Sequence, residues 1–200
     1  MWNLSYPSFV NRVDLPRPFE LTDFTPQALS SFGKSLHKSY SLEIPIFPIL
    51  ISSYGGDITC LDGFISLIQN YREKGIEFCT IVPGFAMSAG AFIFLMGSEG
   101  RRFMGSSATL MIHNYQVSHP PDRLSAMAGF SEFSQKQNLK LNQMLSKHLK
   151  KNKDWLTKLI DSNKNDDVYL TAQEAQELKL CSIGNPQINM ILRSEFSITL

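Results

Sequence analysis

A long hydrophobic run is missing from this chain. Its longest strongly apolar stretch, Ala86 to Gly97, is too short to span a bilayer and predicts a buried core helix. The first ~20 residues hold no basic segment followed by an apolar one, so no signal peptide is expected. An excess of one charge is missing too: 19 Lys and Arg face 18 Asp and Glu, a formal net charge of +1. That balance gives no electrostatic footprint for nucleic acid or a membrane surface, and neither is expected as a partner. The one basic cluster, Lys147, Lys150, Lys151 and Lys153, suits the solvated C-terminal end of a helix, next to the negative end of its dipole. Cysteine is scarce and odd in number, with Cys60, Cys79 and Cys181 far apart and no C-x-x-C pair. This argues against a disulfide framework and a zinc site, and fits reduced, buried thiols in a cytoplasmic protein. No cofactor and no metal are expected, and neither repeats nor low-complexity segments occur.

What is present is an ordinary folding composition, 43% hydrophobic over 200 residues, enough for one α/β domain spanning the chain. Met1–Leu15 mixes polar and aromatic residues around Pro7 and predicts an arm. A short strand is expected over Pro16–Thr22. Thr25-Pro26 then opens a helix with Leu29, Phe32 and Leu36 on one face. Ile44–Ser53 predicts a buried parallel strand with an irregular start at Pro45 and Pro48. Tyr54-Gly55-Gly56 is a tight loop. Asp57 caps a helix striped with Ile58, Leu61, Phe64 or Ile65, and Ile68, which Gly75 ends. Glu77–Val82 is a strand, Phe85–Gly97 leads into the apolar helix, and Arg101–Met104 and Thr109–His113 are further strands. A long amphipathic helix follows over about Ser125–Lys150. A short helix covers Trp155–Asp161, and Thr171-Ala172-Gln173-Glu174 is a capping box for the last one. Strands alternating with helices in the first half predict a mainly parallel sheet.

Three separated segments carry chemistry. In Gly84-Phe85-Ala86-Met87-Ser88-Ala89-Gly90-Ala91 a serine stands among small residues where an apolar helix begins. Small neighbours let a substrate backbone approach, and the N–H groups of a helix start favour an oxyanion, although Ser-Ala-Gly-Ala also suits close helix packing. Met111-Ile112-His113-Asn114 ends an apolar strand, and a serine nucleophile needs a base such as histidine within hydrogen-bond reach. His119 is a rival in a His-Pro-Pro loop, whereas His37 and His148 fall on helix faces that read as solvated. Asp166-Asp167-Val168-Tyr169-Leu170 offers two carboxylates able to orient an imidazole, or two plain loop residues. Ser52-Ser53-Tyr54-Gly55-Gly56-Asp57 is either a turn or a loop whose N–H groups point into a crevice.

The ordered set resembles the proteolytic subunit of Clp, whose pattern runs N-S-P-G-G, G-x-A-x-S-x-G-A, M-I-H and D-x-[FY]-[LM]-[ST]-A-x-E-A. Matching stretches are Ser53–Gly56, Gly84–Ala91, Met111–His113 and Asp167–Ala175, and the Ser-to-His spacing, 113 − 88 = 25, is the family's. The resemblance covers roughly Phe19–Ile183 and implies an α/β fold of the ClpP/crotonase kind. That fold has repeated ββα units, a mainly parallel sheet and a protruding helical handle, here over about 114–150. It implies a serine endopeptidase with Ser88 as nucleophile, His113 as general base and Asp167 as the acid, the register of Leu-Thr-Ala-x-Glu-Ala setting Asp166 aside. It implies oxyanion donors at the N–H groups of Gly56 and Ala89. It also implies peptide or unfolded-protein substrates, a homo-oligomer of heptameric rings that stack, and an AAA+ unfoldase partner.

Four departures from the pattern stand out. Asn114–His119 has no glycine, Tyr54 replaces the proline before the diglycine, Lys179-Leu180-Cys181-Ser182 replaces Gly-Leu-[VA]-Asp, and the N-terminal arm differs. Such a chain fits a divergent member. Alternatives from other classes are a ring-forming, non-catalytic paralogue that mixes with an active ClpP-like subunit, and a crotonase-type enzyme acting on acyl-CoA. A Ser–Lys dyad enzyme is a further one, and it would make His113 dispensable.

Overall fold

A computed structural model describes residues 18–114, 124–163 and 167–184. The expectations for the arm, for His119 and for Asp166 lie outside the described residues. Those residues form a mixed α/β structure: β1 (Phe19–Leu21), α1 (Pro26–Ser41), β2 (Ile46–Ile51), α2 (Ile58–Glu73), β3 (Glu77–Val82), β4 (Phe85–Met87), α3 (Ala89–Leu95), β5 (Arg102–Gly105), β6 (Thr109–His113), α4 (Leu124–His148), α5 (Trp155–Asp161), β7 (Asp167–Thr171), α6 (Ala172–Glu177) and β8 (Ser182–Gly184). Among them no helix is long and apolar enough to cross a membrane. The chain divides into two compact units, one holding residues 18–110 and 170–184, the other the described residues from Met111 to Tyr169.

The first unit is built on a five-stranded sheet of order β1-β2-β3-β5-β8 in which every pairing is parallel. The near-continuous apolar runs of β2 and β3 fit strands covered on both faces. Phe32 from α1, Phe64 from α2, Phe47 from β2 and Phe78 from β3 are fully buried. Their rings meet at 4.8 to 6.1 Å, with Phe32–Phe47 and Phe47–Phe78 edge to face. Pro48 sits inside β2, opposite Cys79, where sequence reasoning expected only an irregular start. Strand alternation explains why it is tolerated. Pro45 O accepts from Glu77 on the β3 side, and Ser52 N–H donates to Leu21 O on the β1 side. Even-numbered residues therefore face β1, and Pro48 comes one residue before the β1 ladder begins at Ile49. Among the described residues no ladder bond is lost.

The helices begin where side chains supply acceptors. Thr25 Oγ1 accepts from Ala28 N–H at 3.1 Å, with Pro26 in the first turn. Asp57 Oδ1 accepts from Thr59 N–H at 2.7 Å and Cys60 N–H at 3.1 Å. Thr171 and Glu174 form the expected capping box. Gly75 follows the end of α2 with φ 93°, a conformation that suits glycine.

Three short strands were not expected as such. Phe85–Met87 forms β4 before α3 begins, Asp167–Thr171 forms β7 rather than loop, and Ser182–Gly184 joins β5 at the sheet edge. Strands β4, β6 and β7 make a second sheet in that order, and the division between units falls within β6 and β7.

In the second unit α4 packs on α5, and Leu145, Leu156 and Ile160 are fully buried. Ser146 Oγ accepts from Leu156 N–H at 3.1 Å, which serves the start of α5 where Asp154 makes no side-chain cap.

Candidate active site

In the first unit, Ser88 stands between the last residue of β4 and the first of α3. Its backbone has φ 52° and ψ −123°, a conformation that a residue bearing a Cβ rarely adopts. Although Ser88 holds the N-cap position, its side chain makes no capping hydrogen bond. The chain thus turns from strand to helix within one residue and sets the serine at the point of the turn. All seven residues of α3, from Ala89 to Leu95, are buried, which anchors that turn from one side.

The diglycine loop holds it from the other. Ser53, fully buried at the end of the β2 segment, bridges to Ala86, and its carbonyl accepts from Met87 N–H at 2.8 Å. Its hydroxyl accepts from Gly55 N–H at 3.2 Å. Gly55 has φ 105°, and a Cβ there would stand 2.7 Å from Ser88 Cβ, so only glycine lets the loop lie against the serine. Gly56 follows with φ 155° and bridges to Phe24. Asp57 then opens α2, its carboxyl held below the usual carboxylate range by the Thr59 hydroxyl first and the Cys60 N–H next. The sequence singled out Ser88, Ala89 and Gly56. It placed Ser53 in the diglycine motif but assigned it no role, because burial and a bridge to Ala86 leave no mark in the sequence.

In the second unit, His113 ends β6 and Asp167 begins β7. His113 Nδ1 lies 3.9 Å from Asp167 Oδ1, an ion-pair separation longer than a hydrogen bond. The side chains are 15% and 34% exposed, so the imidazole is the more enclosed. The next residue, Asn114, is also held: Asn142 Nδ2 on α4 donates to Asn114 Oδ1 at 3.2 Å and to Thr157 Oγ1 at 3.4 Å. Asn142 is 2% exposed. Sequence reasoning passed over it because it interrupts an apolar stripe, between Leu141 and Leu145, as a helix-surface residue also would. Of the other histidines, His37 is exposed as expected and His148 is half-buried.

None of the three cysteines is in a disulfide, and Cys60 and Cys79 are buried. Burial pushes the Cys181 thiol up to about 11. Among the described residues no group of three or more His, Cys, Asp or Glu could hold a metal ion.

Clp protease is the family whose pattern matches residues 41–182, a span that includes the diglycine loop, Ser88, His113 and Asp167. With more than two thirds of its length in that match, and with the α/β fold that goes with it, the chain belongs to the Clp protease family.

Proposed function

We propose that the chain is one peptidase domain, a serine endopeptidase that cleaves peptides or unfolded polypeptides by acyl transfer with Ser88, His113 and Asp167. The observation that carries the reading is the backbone of Ser88. A residue with a Cβ held at φ 52° on a strand-to-helix turn costs about 1–3 kcal/mol. Such strain persists where the surroundings impose it, and a serine at the point of this turn is the arrangement that presents a nucleophile. Glycine at Gly55, brought against Ser88, supports the same reading.

In the proposed reaction Ser88 Oγ attacks the peptide carbonyl carbon while His113 takes the hydroxyl proton. The N–H groups of Gly56 and Ala89 hold the resulting oxyanion. His113 returns the proton to the leaving amine, and the C–N bond breaks. Water then attacks the acyl-enzyme with His113 again as base, releasing the acid and restoring Ser88. Asp167 orients the imidazole and stabilises the imidazolium; its present 3.9 Å separation shortens in the complex, as catalytic hydrogen bonds in unliganded enzymes do. By family, the assembly is a homo-oligomer of heptameric rings with enclosed sites, fed by an AAA+ unfoldase or paired with a ClpP-like paralogue. Scattered cysteines with no disulfide fit the reducing cytoplasm.

A fluorophosphonate probe tests the reading. The purified protein is expected to be labelled at Ser88, as located by peptide mapping, and Ser88→Ala to abolish labelling. Labelling that survives in Ser88→Ala refutes the assignment.

A further inference from the structure

His113 is the last residue of β6, so the strand holds it from one side only. Ahead of it, Leu110 and Ile112 are buried. Past it the chain leaves the strand at Asn114, and there a side chain holds it: Asn142 Nδ2 donates to Asn114 Oδ1 at 3.2 Å. Asn142 is 2% exposed, and among the described residues its Oδ1 has no hydrogen-bond partner. A buried amide with an unmet acceptor is costly. Packing alone would be served better by leucine, as it is three residues further along α4 at Leu145. What an amide adds here is its donors. One serves Asn114, and the same nitrogen donates to Thr157 Oγ1 on α5 at 3.4 Å. One turn on from Asn142, Ser146 Oγ accepts from Leu156 N–H, so one face of α4 grips the start of α5 twice. The two helices make a fixed base, and from that base Asn142 reaches the residue beside His113.

We propose that Asn142 is a positioning residue for His113, fixing through Asn114 the backbone from which the imidazole projects. The inference rests on His113 being the general base of the reaction above. Asp167 acts on the ring, from 3.9 Å at Nδ1, whereas Asn142 acts on the main chain that carries it. Both are needed, because a carboxylate can orient an imidazole only if the Cα beneath it stays in place. A misplacement of about 1 Å at a reacting group costs up to about a hundredfold in rate. The end of a strand is where such a shift comes most easily, since the ladder stops there. A tie at the next residue, made to a pair of packed helices rather than to a loop, removes that freedom.

The test uses the full chain and a fluorogenic peptide, with kcat counted per site titrated by the fluorophosphonate probe, so that unfolded molecules do not enter. Asn142→Leu keeps the volume and removes the donors. Its kcat is expected to fall about tenfold with KM within about twofold of wild type, while its melting temperature stays level or rises. Asn114→Ala is expected to show the same loss, and the double variant no more than either alone, because both changes remove one contact. A role in packing alone gives the reverse, a lower melting temperature with kcat per site kept. If Asn142→Leu is labelled at Ser88 and keeps the wild-type kcat, or if the two losses multiply in the double variant, the positioning role is overturned and the general base stands. Should Asn142→Leu fail to fold, Asn114→Ala breaks the same contact from a half-buried position and decides alone. A wild-type chain that takes up no probe removes the reaction itself, and the positioning role goes with it.

Discussion

Ser88 holds two opposed demands in one residue. Chemistry requires a hydroxyl at the point of the β4–α3 turn, whereas the backbone there, at φ 52°, favours glycine. The magnitudes decide what happens when the side chain is removed. Relief of the positive φ is worth about 1–3 kcal/mol, and the added freedom of glycine in the unfolded chain offsets about 0.5–1 kcal/mol of it. Ser88→Gly should therefore be more stable than the wild type by about 1 kcal/mol, a rise in Tm of about 3 °C, while losing all reaction with the probe. Ser88→Ala loses the same reaction but keeps a Cβ, so it should melt close to the wild type. Equal melting of the Gly and Ala variants would show that no strain is stored at this turn.

Among the elements, α2 shows how a cap near the site depends on pH. Asp57 accepts from the Thr59 hydroxyl, Cys60 N–H and Thr59 N–H, and those donors hold its pKa below that of the unfolded chain. A depressed carboxyl contributes stability that is fully present above its unfolded value and is lost as pH falls through its folded value. Asp57→Ala should then lose about 1 kcal/mol in urea melts near neutrality, and the difference from wild type should shrink in strong acid. Asp57→Asn keeps a capping oxygen and should retain most of the stability with a flatter acid limb. A gap between Ala and wild type that stays constant into strong acid would remove the carboxylate from the cap. This cap was legible in the sequence because it is local, as were Thr25-Pro26 and the Thr171 box. Strands β4 and β8 were not, since three residues gain their shape from a distant partner rather than from their own pattern. The same division runs through the site. Ser88, His113 and Asp167 sit in recognisable motifs, whereas the roles of Ser53 and Asn142 depend on burial and on partners far along the chain. No spacing announces those.

The whole molecule raises the question of what covers α4. This helix of 25 residues buries Leu145 toward its C-terminal end, yet leaves Met127, Phe133 and Leu139 at 45%, 52% and 46% exposed. Met127 and Phe133 each lie three residues from half-buried Phe130, so each neighbours it on the helix surface. Apolar side chains gathered on a helix are a usual mark of a contact surface. We predict that the purified protein is an oligomer by light scattering, and that Met127→Glu combined with Phe133→Glu lowers its mass. The circular dichroism spectrum should be kept, because the substituted positions are exposed and no core contact is lost. Buried like charges would then oppose association, at several kcal/mol per interface, more than such a contact can absorb. An unchanged mass in the double variant would show that this stretch of α4 faces solvent. A wild-type chain that stays monomeric alone and enters a larger particle only when mixed with an active paralogue would instead favour the accessory-subunit reading, in which Ser88 keeps its strained turn but completes its site only within the mixed ring.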